Sequence, residues 1–290
     1  MSLRKLILTL EMIKFEHSVF ALPFALTGAI LAVRAGQLPL ATLWSKLLWI
    51  VVAMVGTRSA AMTFNRLVDS DIDARNPRTK QRQLPARTLS RGFAWGFFAL
   101  SCTVLLLAAA LLNPLCLRLS PLALGVVLGY SYTKRFTSMA HIVLGFALGI
   151  APAAAWIAIR GSLDLRILWL TAAVTFWTAG FDIIYSCQDY EFDQREGLFS
   201  IPAKLGLAGA LNVARLFHVI MTGCLLALWQ SFHLGSAALI GIGVVVALLL
   251  YEHSLVKPND FSRVDAAFFT VNGYIGVLFF VFWTLDWAMA

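Results

Sequence analysis

Long apolar runs recur from one end of the chain to the other, with short polar breaks between them. About 20 apolar residues are enough for a helix to cross a bilayer. A backbone inside lipid must satisfy its own hydrogen bonds, which favours helices, and the alternating pattern of a membrane β-barrel is absent. The runs predict an all-α polytopic membrane bundle of about nine transmembrane helices. The predicted spans are 17–34, 43–66, 92–112, 114–131, 140–160, 165–188, 209–231, 234–251 and 264–287.

The composition agrees with a membrane protein, since 60% of the residues are hydrophobic and only 13% are charged. A soluble domain has roughly 45–50% apolar and about 25% charged residues. A soluble enzyme, a disordered tail and a nucleic-acid-binding module are therefore excluded. The net charge of +8 is scattered among the apolar runs, which is typical of membrane loops. We expect lipid as a partner and no nucleic acid.

The basic residues predict the orientation. Fifteen of the 23 Lys and Arg lie on the side of the membrane that holds the N-terminus, and five lie on the other side. Cytoplasmic loops carry the excess of Lys and Arg. We therefore expect an integral protein of the cytoplasmic (inner) membrane, with its N-terminus inside.

The acidic residues cluster in two places. Eight of the 15 Asp and Glu lie in residues 69–73 and 182–196, each at the point where a span meets a cytoplasmic loop. Because the two windows are four spans apart, they indicate an internal repeat. We expect one domain over 1–290, with repeat halves of roughly 17–135 and 140–251.

Each acidic window contains a motif with helical spacing. The first motif is Asn65, Asp69 and Asp73, which are four residues apart and form one stripe on a helix. The second motif is Asp182, Tyr185, Asp189 and Asp193, whose steps of three, four and four again predict one helical face.

Carboxylates in such stripes repel one another and are costly to desolvate at a membrane. They need a compensating cation, and hard oxygen ligands suit Mg²⁺ or Mn²⁺ better than zinc. Mg²⁺ typically takes one or two carboxylates and completes its shell with water and phosphate oxygens. Two facing stripes would thus hold a magnesium diphosphate. The alternative is a pair of solvated helix ends, each neutralised by nearby arginines.

Basic side chains surround the motifs in the sequence. Arg78 and Arg82 lie in the loop after the first motif, and Lys134 follows Tyr130 at the end of the fourth span. They either capture a diphosphate or only anchor the topology. Arg58 lies inside the second span, seven residues before Asn65, and faces the same way. It either serves the site or is satisfied by backbone carbonyls.

At these residues the chain resembles the UbiA family of intramembrane aromatic prenyltransferases. The family motif N-(D/R)-x-x-D-x-x-x-D is matched by Asn65, Arg66, Asp69 and Asp73, and D-x-x-Y-x-x-x-D-x-x-x-D by the second motif. The family's G-x-(K/H)-S stretch departs here to Gly197-Leu198-Phe199-Ser200. Residues 14–24 resemble the 4-hydroxybenzoate polyprenyltransferase branch, which includes dihydroxynaphthoate enzymes.

The resemblance implies a UbiA-type fold and Mg²⁺-dependent transfer of a polyprenyl group to an aromatic acid. The acceptor would be 4-hydroxybenzoate or 1,4-dihydroxy-6-naphthoate, and the donor a polyprenyl diphosphate. The implied metal ligands are Asn65, Asp69, Asp73, Asp189 and Asp193. The implied diphosphate-binding residues are Asn65, Arg66, Arg78, Arg82, Tyr130, Lys134 and Tyr185. Asp182 or Asp189 would accept the released proton or stabilise the allylic cation, and Arg58 would bind the acceptor's carboxylate.

Three other functions are open to a chain of this kind. A haem O or chlorophyll type of UbiA enzyme would use the same motifs. A transporter would suit nine spans, but its acids should lie near the bilayer midplane rather than at helix ends. A CDP-alcohol phosphotransferase would need D-x-x-D-G-x-x-A-R, and the first window lacks its glycine.

Overall fold

The structure is a computed structural model that describes residues 3–14 and 18–289. Eight helical segments within those ranges are long and apolar enough to cross a membrane, and Phe20–Ala35 forms a shorter apolar helix. The described residues contain no strand beyond an isolated bridge between Lys257 and Asp260. The expected all-α membrane bundle is confirmed.

Eleven α-helices follow one another along the described chain. They are α1 Leu3–Met12, α2 Ser18–Ala35, α3 Leu40–Arg75, α4 Arg91–Leu112, α5 Pro114–Thr133, α6 Ala140–Arg160, α7 Leu168–Ser186, α8 Tyr190–Arg195, α9 Ile201–Ser231, α10 Ser236–Ser254 and α11 Asn272–Met289. Short 3₁₀ turns precede and follow α7, and a π-helical turn, Ala266–Val271, leads into α11.

The first motif lies on a helix that is longer than a span requires. Helix α3 has 36 residues, which at 1.5 Å per residue is about 54 Å, against about 30 Å of hydrocarbon. The helix is therefore longer than a bilayer core is thick, and its last turns carry Asn65, Asp69 and Asp73. We call this end of the bundle the motif end, and the opposite end the far end.

The second motif does not lie on one uninterrupted α-helix, which differs from the sequence-based expectation. Helix α7 ends at Ser186, and Cys187–Asp189 forms a 3₁₀ turn before α8 begins. A 3₁₀ turn has three residues per turn and redirects the chain. The break places Asp189 on the turn and Asp193 on α8, while Asp182 and Tyr185 remain on α7.

Glycines allow α6 and α7 to pack closely. A Cβ on Gly145 would lie 2.2 Å from the carbonyl oxygen of Thr175, and one on Gly149 would lie 2.6 Å from that of Thr171. Such close backbone approach is the usual role of small residues between membrane helices. It sets the start of α6 against the α7 end that carries the second motif.

The bundle is unevenly packed. Helix α7 is buried along most of its length, and it packs against α6 and α9. The main apolar core includes Phe24, whose ring contacts those of both Trp177 and Phe279. Helices α3, α4 and α5 bury fewer of their residues. A large cavity lies between these helices and α6.

The N-terminal helix α1 was not predicted from the sequence, since it is too short and too polar to read as a span. Its Met12, with Ile13, packs on Leu67 of α3 in a second, smaller core. The end of α1 and the segment after it also supply backbone carbonyls to arginines of α3.

Candidate active site

All thirteen residues predicted to form the site line one cavity of about 1040 Å³. They come from α3, the loop after it, the end of α5, and the α7–α8 segment. The two motifs, more than 100 residues apart in sequence, thus face each other across a shared space at the motif end. The residues are Arg58, Asn65, Arg66, Asp69, Asp73, Arg78, Arg82, Tyr130, Lys134, Asp182, Tyr185, Asp189 and Asp193.

The carboxylates of the first motif are held by amide and guanidinium groups. Asn65 Nδ2 donates to Asp69 Oδ2 at 2.9 Å, one turn further along α3. Arg135 Nη2 donates to Asp69 Oδ1 at 3.1 Å. Arg82 Nη1 lies 2.8 and 2.9 Å from the two oxygens of Asp73. Each carboxylate therefore has a cation beside it.

Two carboxylates of the second motif likewise have basic and amide partners. Arg78 donates to Asp189 through Nε, at 2.9 Å from Oδ1, and through Nη2 to Oδ2. Asn76 Nδ2 donates to Asp189 Oδ1 at 3.0 Å, which joins the end of α3 directly to the second motif. Lys134 Nζ lies 3.4 Å from Oδ1 of Asp193, which is 1% exposed.

Arg78 also contacts an aromatic ring of the second motif. Its guanidinium carbon lies 5.3 Å from the ring centroid of Tyr185, and Nη1 donates to the Tyr185 hydroxyl at 3.3 Å. Burial would lower the pKa of Arg78, but its hydrogen bond to the Asp189 carboxylate and the charge of that group raise the pKa above the ordinary value. Arg78 therefore stays cationic and can bind oxyanions.

Two arginines of α3 hold the N-terminal segment against the site. Arg58 Nη2 donates to the carbonyl oxygen of Lys14 at 2.9 Å. Arg66 Nε donates to that of Met12 at 3.4 Å, and Nη1 lies 4.0 Å from Asp73 Oδ2. Arg66 is only 6% exposed, so little of it is open to solvent. Arg58 lies two turns nearer the middle of α3 and lines the same cavity as Asn65.

Asp182 differs from the other motif aspartates in its partner. Its Oδ2 lies 2.7 Å from Nδ1 of His141, in the first turn of α6. His141 Nε2 in turn lies 3.3 Å from the backbone nitrogen of Ile201, in the first turn of α9. The imidazole is 2% exposed. It therefore links the starts of two helices to the second motif.

The cavity continues from the charged end as an apolar groove. Its walls are alanines, leucines and other apolar side chains of α3, α4, α5 and α6, and it reaches Ala158, Leu163 and Leu168 at the far end. From His141 to Ala158 is 17 residues of helix, or about 26 Å. One space thus combines a cluster of carboxylates and cations with an apolar channel nearly as long as a bilayer core.

A family model described as the UbiA prenyltransferase family matches residues 21–285. The chain belongs to this family. The expectations of a UbiA-type fold and of an aromatic prenyltransferase are confirmed. The chain is 31% identical over 241 residues to the 4-hydroxybenzoate solanesyltransferase of Synechocystis sp., covering 82% of each chain.

Solved structures share the fold of this UbiA protein. The apo structure of a UbiA homolog from Aeropyrum pernix K1 superimposes with a TM-score of 0.83 at 33% identity, covering 93% of this chain and 98% of that one. A UbiA homolog from Archaeoglobus fulgidus bound to GPP and Mg²⁺ has a TM-score of 0.66 at 19% identity, covering 97% and 99%. The second likeness concerns the fold alone.

The donor set of this UbiA protein suits magnesium. Among the described residues, no three Asp, Glu, His or Cys side chains already converge on a single metal position. Mg²⁺ typically uses one or two carboxylates and takes its other ligands from water and substrate phosphates. Carboxylates of both motifs and the Asn65 amide line the same cavity, and such a set of hard oxygen donors suits that requirement better than it suits a closed zinc or calcium site.

Three site residues were missed or undervalued in the sequence. Asn76 continues the helical stripe three residues after Asp73, and this spacing was available as a signal. Arg135 adjoins Lys134, and this adjacency was likewise available as a signal. His141 lies 41 residues from Asp182, with no spacing that relates the two, so sequence reasoning offered no route to the pair.

The departure at Phe199 leaves the local backbone contact in place. The Phe199 side chain is 49% exposed, and its backbone nitrogen donates to the carbonyl oxygen of Lys134 at 2.8 Å. The segment after the second motif is therefore held to the end of α5 by its main chain, whatever side chain stands at this position.

Proposed function

We propose that this protein is a Mg²⁺-dependent enzyme that transfers a polyprenyl group from a polyprenyl diphosphate to an aromatic acid in quinone biosynthesis. The acceptor is 4-hydroxybenzoate or 1,4-dihydroxy-6-naphthoate. The observation that carries the proposal is the cavity, in which a charged end opens directly into a long apolar groove. A polyprenyl diphosphate has the same two parts in the same order.

The charged end fits a diphosphate. Arg78, Arg82, Lys134 and Arg135 come from two different loops and all line the cavity. Arginine suits phosphate because its planar fork donates two parallel hydrogen bonds. These cations would bind the diphosphate oxygens and stabilise the charge that develops as the carbon–oxygen bond breaks.

Magnesium would be held by Asp69 and Asp73 on one side and by Asp189 and Asp193 on the other, with Asn65 beside them. When bound, the metal supplies positive charge that stabilises the diphosphate leaving group. The structure of the Archaeoglobus fulgidus homolog with GPP and Mg²⁺ supports this choice of ion.

The apolar groove would take the prenyl tail and keep water from the allylic cation. The aromatic rings that line the cavity include Phe181, Tyr185, Phe268 and Phe269. The rings of Tyr185 and Phe268 have centroids only 4.1 Å apart. The π face of an aromatic ring attracts a cation, most strongly where water is excluded.

The acceptor would enter the charged end, where Arg58 can bind its carboxylate and Asp182 can take the proton released from its ring. The name of the Synechocystis relative supports 4-hydroxybenzoate. The dihydroxynaphthoate option rests on the resemblance of residues 14–24, of which 15–17 lie outside the described residues.

The experiment is to incubate the purified protein with Mg²⁺, geranyl diphosphate and each acceptor in turn, with product detection by mass spectrometry. We expect a prenylated product from one acceptor, lost when EDTA removes the metal. Diphosphate binding without product from either acceptor would refute the proposed acceptors. A protein that does not bind geranyl diphosphate would refute the donor as well.

We further propose that the motif end faces the cytoplasm, because most Lys and Arg lie on that side. The test uses protein whose four natural cysteines are replaced. Cysteine introduced at Ser162, exposed at the far end, should react with an impermeant maleimide in intact cells. Cysteine at Arg87, exposed at the motif end, should react only after the membrane is opened. The reverse pattern would overturn the orientation.

A further inference from the structure

The interaction between His141 and Asp182 is the one motif contact in the described chain that pairs an aspartate with an imidazole. The other four motif aspartates each have an Arg or Lys nitrogen within 4 Å. His141 lies in the wall of the cavity, where it is 2% exposed. Its Nδ1 is 2.7 Å from Asp182 Oδ2.

The partner of Nε2, the second ring nitrogen, determines which tautomer of His141 is present. The backbone N–H of Ile201 can only donate, and it points at Nε2 from 3.3 Å. Nε2 must therefore accept, and it carries no proton. In the neutral ring the proton is then on Nδ1, which donates it to Asp182. His141 is thus a neutral donor whose tautomer is set by the start of α9.

This backbone contact has its own local cause. Ser200 caps α9, accepting a hydrogen bond from the backbone nitrogen of Ala203. The first N–H groups of a helix have no partner inside the helix, and that of Ile201 is one of them. Nε2 of His141, on α6, accepts the hydrogen bond from this N–H. The ring is consequently fixed at both ends, and it cannot turn away from Asp182 without leaving a buried N–H unpaired.

A neutral donor affects a carboxylate differently from an arginine. It stabilises the ionised form by a hydrogen bond without cancelling the negative charge. Asp182 is 23% exposed in its side chain and lines the cavity. Its partner in the cavity wall is thus an imidazole, whereas the other four motif aspartates each lie beside an Arg or Lys nitrogen.

We infer that His141 is a positioning residue that orients the Asp182 carboxylate as the proton acceptor for the aromatic ring. This inference rests on the proposed function. After the new carbon–carbon bond forms, the ring carbon still holds its hydrogen. The carbon–hydrogen bond breaks, its electron pair restores the aromatic ring, and the proton goes to the carboxylate of Asp182. The Nδ1 proton of His141 stays where it is.

A positioning role depends on the hydrogen bond that His141 donates to Asp182. A purely structural role depends on the hydrogen bond that His141 accepts from Ile201. The side-chain amide nitrogen of asparagine lies near the position of histidine Nδ1. His141→Asn therefore keeps a donor for Asp182 but loses the acceptor for Ile201. The side-chain amide oxygen of glutamine reaches the position of Nε2, so His141→Gln keeps the acceptor for Ile201 but loses the donor for Asp182. The two variants separate the two bonds.

The test measures kcat with saturating geranyl diphosphate and the acceptor that the wild-type protein uses, together with the Kd for geranyl diphosphate and the Tm. Because general acid–base catalysis contributes about 10²–10⁴-fold, we expect His141→Gln to lower kcat by about ten- to a hundredfold. His141→Asn should stay within about threefold of wild type. The Kd should be unchanged in both variants.

A second comparison uses kcat in a double variant, and it tests the inference even where one single variant folds poorly. In an Asp182→Asn background, His141→Gln should lower kcat no further, because the carboxylate it positions is gone. A wild-type kcat in His141→Gln, a larger loss in His141→Asn than in His141→Gln, or a full additional loss in the double variant would each overturn the inference. Failure of the proposed function itself would show as a wild-type protein that forms no product.

Discussion

Arg78 and Asp189 join the two acidic motifs through a two-pronged ion pair, with Nε 2.9 Å from Oδ1 and Nη2 on Oδ2. Arg78 follows the first motif, and Asp189 belongs to the second, 111 residues away. The pair joins the loop after α3 to the turn that follows α7, at the motif end of the bundle. It also places the guanidinium of Arg78 in the lining of the cavity that we propose for the diphosphate.

Arg78→Lys should weaken binding of geranyl diphosphate by roughly tenfold or more. Lysine keeps the charge but cannot hold Asp189 with two N–H groups and also reach Tyr185. Hydrogen bonds to charged groups are worth about 1.5–3 kcal/mol. The measurement is the Kd for geranyl diphosphate. Arg75→Lys is the matched control, because Arg75 is 55% exposed and pairs with Glu196 at the surface. Equal effects of the two changes would contradict the prediction.

Asp69→Asn and Asp193→Asn should each abolish turnover, since each removes a charged oxygen ligand from the proposed metal site. Both proteins should still insert into membranes and elute as folded material. Asp71→Asn is the control, because Asp71 lies on the same helix with its side chain 80% exposed. Full activity in either cavity variant, or an equal loss in the control, would show that the carboxylates do not hold the metal.

Ala154→Trp should restrict the length of prenyl donor that the enzyme accepts. Ala154 lines the groove 13 residues beyond His141 on α6, or about 20 Å along the helix. A tryptophan there should reduce kcat/KM for a long polyprenyl diphosphate by about tenfold or more and leave geranyl diphosphate within about twofold. Ala110→Trp, on the exposed side of α4, should change neither. Unchanged use of the long donor would show that the tail lies elsewhere.

Gly145→Ala should destabilise the protein by about 1–3 kcal/mol, the usual cost of overpacking. The new methyl group would meet the Thr175 carbonyl oxygen at 2.2 Å and force α6 and α7 apart. Gly96→Ala should be neutral or slightly stabilising, because no atom lies within 4 Å of its added Cβ. The Tm of each protein in the same detergent is the measurement. Similar Tm values for both variants would refute the proposed packing.

The helices could be predicted closely from the sequence because hydropathy is a local property. The predicted span 140–160 coincides with α6, and 114–131 differs from α5 by two residues. Helix α1 and the 3₁₀ turn at Cys187–Asp189 were not predicted. Both are short and lie at helix ends, where packing against neighbours decides the local conformation more than composition does.

The sequence by itself determined the apolar spans, the helical stripe of the first motif and the resemblance to the UbiA family, which the family match confirmed. These properties depend on residues that are close together along the chain. Only the tertiary structure decided which groups meet across the cavity, such as His141 with Asp182 and Asn76 with Asp189. Those contacts join residues 41 and 113 positions apart. Their geometry follows from how closely the helices pack, which for α6 and α7 depends on glycines that carry no hydropathy signal.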